Sequence, residues 1–305
     1  STTGSNAAIT NLGATVIVES GTFNSNEWYT VKNLGTMTIN GGTFKQPEGN
    51  TGNASLIANG WANGKGTSST DKGFLPPAAE TEEAAAILTI NGGTFNHLVK
   101  TSTIKTDDWG KTTITDGKFT SANGFVLQAT GECIVSGGTF KGYDALIVFN
   151  ADGSKGYEPG IANISGGSFD AKSIADGYNT KGVLTISGGT FKVISFTSND
   201  ANLTTTITGG SFTAEGVKDY IGSESKVSQE NEVYVVSDNT EIIASIEEGN
   251  VEFASEEALN NSYSLYVNST AKEEIEKATE AKFKFMNEGD VVPYVPFVSL
   301  YTVTN

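Results

Sequence analysis

Arginine is absent from this chain: all 19 basic residues are lysine, and they face 35 aspartates and glutamates, for a net charge of −16. Neutralising a phosphate backbone takes basic stripes that such a chain lacks, so nucleic acid is excluded as an expected partner. Cysteine occurs once, as Cys133 in the run Glu132-Cys-Ile-Val135, which excludes an internal disulfide and any cysteine-based metal site. A lone thiol in a strand-like run reads as a core residue. There is no apolar run of 18 residues and no basic leader followed by an apolar stretch. The sequence therefore predicts no membrane insertion and no uncleaved signal peptide, and the start at Ser1 leaves the export route open. Nucleophile elbows, phosphate loops and zinc spacings are missing too, so no cofactor and no metal is expected. Only 6 prolines are present and 18% of residues are charged.

Glycine, by contrast, occurs 36 times, with many threonines, serines and asparagines, a balance typical of β-rich chains with frequent turns. The glycines are organised. Eight copies of one string, apolar-x-apolar-polar-Gly-Gly-Thr-Phe, run through the chain: VIVESGTF from residue 16, MTINGGTF from 37, LTINGGTF from 88, TTITDGKF from 112, CIVSGGTF from 133, ANISGGSF from 162, LTISGGTF from 184 and TTITGGSF from 205. The closing phenylalanines, Phe23, Phe44, Phe95, Phe119, Phe140, Phe169, Phe191 and Phe212, are separated by 21, 51, 24, 21, 29, 22 and 21 residues. A floor near 21 with occasional longer steps describes a coil of fixed length with insertions at its corners.

Alternation with period two, as in Leu184-Thr-Ile186, marks a strand with one face inward. A second apolar run lies within most intervals, for example Tyr29-Thr-Val31 and Phe125-Val-Leu127, so each coil holds at least two strands. The second glycine of the pair is never replaced, which predicts positive φ or close backbone approach there. The first varies to Ser20 and Asp116 and reads as the more permissive position. Stacked about 4.8 Å apart, the phenylalanines would form an internal aromatic ladder, and the polar residues before Gly-Gly a second one. A β-sandwich is the rival fold, but its strands occupy inequivalent places and give no reason for one string to recur. The calcium-binding glycine repeat does not fit either, because its aspartate position is Thr, Ser or Lys here.

On these motifs, residues 7 to 230 resemble the pectin-lyase-like group of right-handed parallel β-helix proteins. Gly-Gly-Thr-Phe arrays of this kind are similar to repeats in surface proteins of gut bacteria and in virion fibres or spikes. The resemblance implies an all-β, right-handed, single-stranded parallel β-helix of about eight to nine coils with a small α+β C-terminal cap. It does not imply one activity, because the architecture carries lyases, hydrolases, adhesins and structural parts. Residues 1–230 form the expected helix domain, with a lateral insertion at 45–86 that carries Trp61. Residues 231–305 form an acidic capping region with 4 lysines against 14 acidic residues. Within it Thr270-Ala-Lys-Glu273 reads as a capping box opening a helix to Lys282. Ser1 to Asn6 is too short to cover the open edge of the first coil, so a protein partner or a homo-oligomer contact is expected at the N-terminal end.

Four aromatic residues fall at one corner between successive strands: Trp61, Trp109, Tyr157 and Tyr178. A row of rings suits glycans, whose apolar faces stack on indole and phenol; the alternative is that each ring pins its own loop to the wall. For hydrolysis the candidates are Asp107, Asp108 and His97, since paired carboxylates near a groove are what glycoside cleavage uses. A solvated acidic turn and a surface histidine is the competing description. Enzymes resembling pectate lyases abstract a proton with a basic residue, usually arginine, beside a calcium-bound uronate, and the absence of arginine departs from that pattern. The leading expectation is a non-catalytic structural or adhesive protein, extracellular, on a cell surface or a virion, with glycan binding along the aromatic corner. A polysaccharide-degrading enzyme, a hydrolase or lyase of depolymerase type, is the alternative.

Overall fold

The computed structural model describes residues 7–26, 28–47, 49, 54–60, 85–107, 109–149, 159–176, 181–199, 202–222, 225–238 and 263–265. The expected helix at 270–282 lies outside the described residues, as do residues 48, 50–53 and 61–84 of the insertion expected at 45–86; within that range Ile57–Asn59 is a strand of the solenoid. The chain divides into two compact units, Ser1–Thr205 and Thr206–Asn305.

The first unit is a parallel β-solenoid of about seven turns, and each turn is built from three short strands. Turn 1 comprises β1 (Ile9–Asn11), β2 (Thr15–Val18) and β3 (Thr22–Asn24); turn 2, β4 (Val31–Asn33), β5 (Thr36–Ile39) and β6 (Thr43–Gln46); turn 3, β7 (Ile57–Asn59), β8 (Ile87–Ile90) and β9 (Thr94–His97). Turn 4 follows with β10 (Ile104–Thr106), β11 (Lys111–Ile114) and β12 (Lys118–Ser121), and turn 5 with β13 (Leu127–Ala129), β14 (Glu132–Val135) and β15 (Thr139–Lys141). In turns 6 and 7 the strands lengthen into β16 (Ala145–Phe149), β17 (Gly160–Ile164), β18 (Ser168–Asp176) and β19 (Gly182–Asn199). Each strand pairs in parallel with its counterpart one turn away, in register apart from a shift between Ala175 and Asp176, so that Thr38 faces Ile17 and Thr89 while Phe119 faces Phe95 and Phe140.

Two of the three strands were visible as apolar runs. The third, β3 and its counterparts, is the Thr-Phe end of the repeat string itself. The register carries the phenylalanines inward as a column of stacked rings: from Phe23 to Phe191, centroids of successive rings lie 4.5 to 5.0 Å apart. The second ladder is outside, where Asn40 Nδ2 donates to Glu19 at 3.0 Å, Asn91 Nδ2 to Asn40 at 3.0 Å and Thr115 Oγ1 to Asn91 at 3.0 Å. Cys133 is buried in register between Thr112 and Ala162, and burial pushes its thiol up to about 12. It is the inert core residue that its strand context predicted.

The glycine pair explains the sharp corner between the second and third strands. All eight second glycines have positive φ, from 102° at Gly138 to 135° at Gly117. A Cβ on Gly138 would in addition lie 3.0 Å from the carbonyl oxygen of Gly117 one turn below. The first position takes a side chain in two of the eight copies, as expected of the more permissive one, although it is crowded in the others. A Cβ there would meet the carbonyl of the previous turn, 2.8 Å away at Gly41 and 2.2 Å at Gly137. Ser20 stands in the first turn, and Asp116 uses its carboxylate to accept the Gly117 N–H at 2.7 Å.

The expected eight to nine coils are therefore too many. The eighth copy of the string belongs to the second unit, within β20 (Leu203–Phe212), and no further parallel turn follows it among the described residues. In that unit β21 (Ser225–Glu230) and β22 (Val233–Asp238) form an antiparallel pair, and β22 also runs antiparallel along Gly210–Phe212. A strand of opposite direction occupies the edge that another coil would need. A 3-10 helix at Glu215–Tyr220 and β23 (Tyr263–Leu265), antiparallel to β21, complete the described part.

Because each ring stacks on two neighbours inside the column and on one at its end, Phe119→Ala should cost about 3–5 kcal/mol. Phe23→Ala, in the half-buried first ring, should cost less than half of that. Gly138→Ala should destabilise by about 1–3 kcal/mol, since both the φ and the close carbonyl oppose it. Urea unfolding followed by circular dichroism checks all three.

Candidate functional site

Of the seven residues singled out from the sequence, Trp61, Asp108, Tyr157 and Tyr178 lie outside the described residues; His97, Asp107 and Trp109 lie within them. In the chain, the segments carrying the four aromatic residues all fall between a first and a second strand. They follow Asn59, Thr106, Phe149 and Asp176, and the strands that flank them are in register.

His97 and Asp107 occupy different corners. His97 ends β9, at the corner leading into β10, whereas Asp107 follows β10, at the corner leading into β11. Neither is the solvated surface group that the sequence left open, for His97 is 0% and Asp107 2% exposed. Asp107 forms an ion pair with Lys105 at 2.6 Å, and its backbone N–H donates to the carbonyl of Asn59. Its second oxygen, Oδ2, is buried and unpartnered. Gly110 N–H closes the turn onto the Asp107 carbonyl at 2.9 Å, and within it Trp109 is half-buried with a φ of 59°. Non-glycine residues enter this left-handed region only when the surroundings hold them there.

His97 Nε2 lies 3.2 Å from the Ala54 carbonyl oxygen and 3.2 Å from Thr101 Oγ1, while the Thr101 hydroxyl donates to that same carbonyl at 2.9 Å. A carbonyl only accepts, so the ring proton sits on Nε2 and Nδ1 keeps a lone pair. Burial lowers the imidazole pKa to about 4, against the opposing effect of its hydrogen bonds. The ring is neutral at pH 7 and is committed to bonds that hold its own corner together. As a general base it would need access to a substrate proton, and its burial denies that.

Two features of the interior escaped the sequence reading. The first is an asparagine ladder at the corner between first and second strands. Asn11 Nδ2 donates to Asn33 Oδ1 at 2.8 Å, and Asn33 Nδ2 to Asn59 Oδ1 at 2.8 Å. Asn59 Nδ2 then reaches Thr112 Oγ1 at 3.1 Å, which pairs with Thr106 Oγ1 at 2.7 Å. Further bonds to backbone carbonyls, such as Asn33 Nδ2 to Ile87 at 2.9 Å, use the remaining capacity of these amides. The signal was present: Ile9-Thr-Asn-Leu-Gly13 and Val31-Lys-Asn-Leu-Gly35 repeat one string. The second is a column at the corner between third and first strands, where Gln46, His97 and Ser121 stack in register and are all buried. Among the described residues, no group of three or more His, Cys, Asp or Glu side chains is placed to hold a metal.

The lowered pKa of His97 has a direct consequence for stability. Above an unfolded pKa near 6.5 the ring is neutral in both states. As pH falls from there towards about 4 the unfolded chain takes up a proton that the folded chain refuses, so folding stability declines. The loss should reach about 3 kcal/mol. Denaturant unfolding of the native chain and of His97→Gln, compared from pH 7 to pH 4, should show the variant without this component. No known protein family, characterised protein or solved structure matches the chain.

Proposed function

We propose that this protein is a non-catalytic structural or adhesive element of a cell surface or virion, acting outside the cell and contacting glycans along one edge. The observation that carries the reading is the fate of the candidate catalytic groups. His97 and Asp107 are buried at different corners, each bonded to groups of the solenoid itself, so they do not form the paired groups beside a groove that glycoside cleavage requires. The regular wall offers rows of small polar groups instead, such as Thr38, Thr89 and Thr113 in register and the Glu19, Asn40, Asn91, Thr115 ladder.

Glycan contact would centre on Trp109, half-buried in a turn held by the Asp107 carbonyl, together with Trp61, Tyr157 and Tyr178, which lie in sequence between the corresponding strands of other turns. A protein partner or second copy would sit on turn 1. There β1, β2 and β3 pair only with turn 2 among the described residues. Leu12, Ile17 and Trp28, in and just after that turn, are 45%, 61% and 40% exposed. Open strand edges beside exposed apolar side chains are what an assembly contact covers. The winding we propose is right-handed, as in the pectin-lyase-like helices that the repeat resembles, a resemblance that favours neither the adhesive nor the enzymatic reading.

A polysaccharide-degrading enzyme is the competing reading. The two separate in one experiment: a glycan panel assayed for binding and for new reducing ends or unsaturated uronates. The expected result is binding without turnover, weakened about tenfold or more by Trp109→Ala, consistent with the roughly 1–3 kcal/mol of one stacked ring. Turnover abolished by Asp107→Asn would overturn the proposal.

A further inference from the structure

Gln46, His97 and Ser121 are fully or almost fully buried, and they stack on three consecutive turns through the pairs Gln46–His97 and His97–Ser121. Each carries one polar atom without a hydrogen-bond partner: Gln46 Oε1, His97 Nδ1 and Ser121 Oγ. Three such atoms in one column are unusual, because buried polar groups are satisfied almost everywhere in folded proteins. The roles of two are fixed by their other ends. Gln46 Nε2 donates to the Trp28 carbonyl at 2.9 Å, which leaves Oε1 as an acceptor. His97 Nε2 faces the Ala54 carbonyl, which leaves Nδ1 as an acceptor. Two acceptors on adjacent turns cannot bond to each other. They need a guest that donates twice.

We propose that this column is a binding site for a buried water molecule. It donates one O–H to Gln46 Oε1 and the other to His97 Nδ1, and it accepts the Ser121 hydroxyl proton. That assignment satisfies all three atoms with one guest and gives the water three bonds, the usual number for a buried one. A cation is a poor match. Gln46, His97 and Ser121 are all neutral, so the three side chains of the column supply no charge to balance a cation. The site closes towards the later turns. The position in register after Ser121 is Gly142, where even a Cβ would meet the Ala145 carbonyl at 3.2 Å and Ala171 Cβ at 3.3 Å. Beyond it the column continues as Ala171 and Val193.

His97 is the only histidine in the chain, so its ring proton between the two nitrogens gives a single assignable signal. In a nuclear Overhauser spectrum recorded in water, that proton should show a cross-peak to the solvent line with the sign of a long-lived bound water. The Thr101 hydroxyl, which also lies beside the ring, exchanges with solvent and would mimic the signal, so the peak must survive in Thr101→Val. It should be lost in Gln46→Met, which keeps the shape and removes the acceptor. A cross-peak absent from the native chain, or one that vanishes with the Thr101 hydroxyl, or one that persists in Gln46→Met, overturns the proposal. An atomic-resolution crystal structure provides a reading that needs no variant: a water within hydrogen-bond distance of His97 Nδ1 supports the site, and a direct bond between that nitrogen and a protein donor refutes it.

Discussion

Everything in the first unit depends on one constraint, that the backbone of each turn lies in register on the turn before it. Parallel pairing sets the spacing between strands at about 4.8 Å, and the same spacing suits stacked aromatic rings, bonded amides and staggered aliphatic side chains. A residue in this solenoid is therefore chosen less by its own turn than by what lies above and below. The corner glycines show it most directly. Their side-chain space is taken up by the carbonyl of the neighbouring turn, and their φ is one that other residues rarely adopt. A single strained or slipped corner would displace three strands at once.

The fold was legible because this constraint writes itself into the sequence as repetition. Phe23 to Phe191 recur since each must stack on the last, and the second glycine recurs since no side chain fits its place. The third strand was less legible, because the Thr-Phe end of the repeat alternates over too few residues to stand apart from the corner before it. The interior asparagines were missed for a related reason. Asn11, Asn33 and Asn59 are spaced 22 and 26 residues apart and then give way to Thr106, Ala129 and Phe149, so the ladder changes chemistry along its length. The number of coils was overestimated because a string cannot reveal the direction of the strand beside it. The eighth copy keeps the sequence of its predecessors while β22 runs against it.

The candidate site was legible only in outline. Sequence placed Asp107 and Trp109 at a corner and marked His97 as unique, but whether a polar residue at a strand end faces solvent or interior turns on one step of alternation. His97 follows Phe95 by two residues, so it shares the inward face, and that parity was available from the pattern. The pairing of Lys105 with Asp107 was not, because it depends on how the Asp107–Gly110 turn folds back. What emerges is an interior that is polar at two corners in the early turns and aliphatic or aromatic at the same corners in the later ones. At one of these corners side-chain hydrogen bonds join the first four turns, whereas the later turns place Ala129 and Phe149 at that corner and Ala171 and Val193 at the other.

The three corners of the coil differ in what they admit. Between the second and third strands the number of residues never changes, since the glycine pair must bring each phenylalanine back onto the column. Between the first and second strands the count itself shows departures, with 27 residues between Asn59 and Ile87 and 10 between Phe149 and Gly160. The flanking strands still pair in register across those departures. The solenoid thus works as a rack with one row of sockets. New segments can be inserted or exchanged along that row, at intervals set by the backbone, without rewriting the residues that hold the rack together.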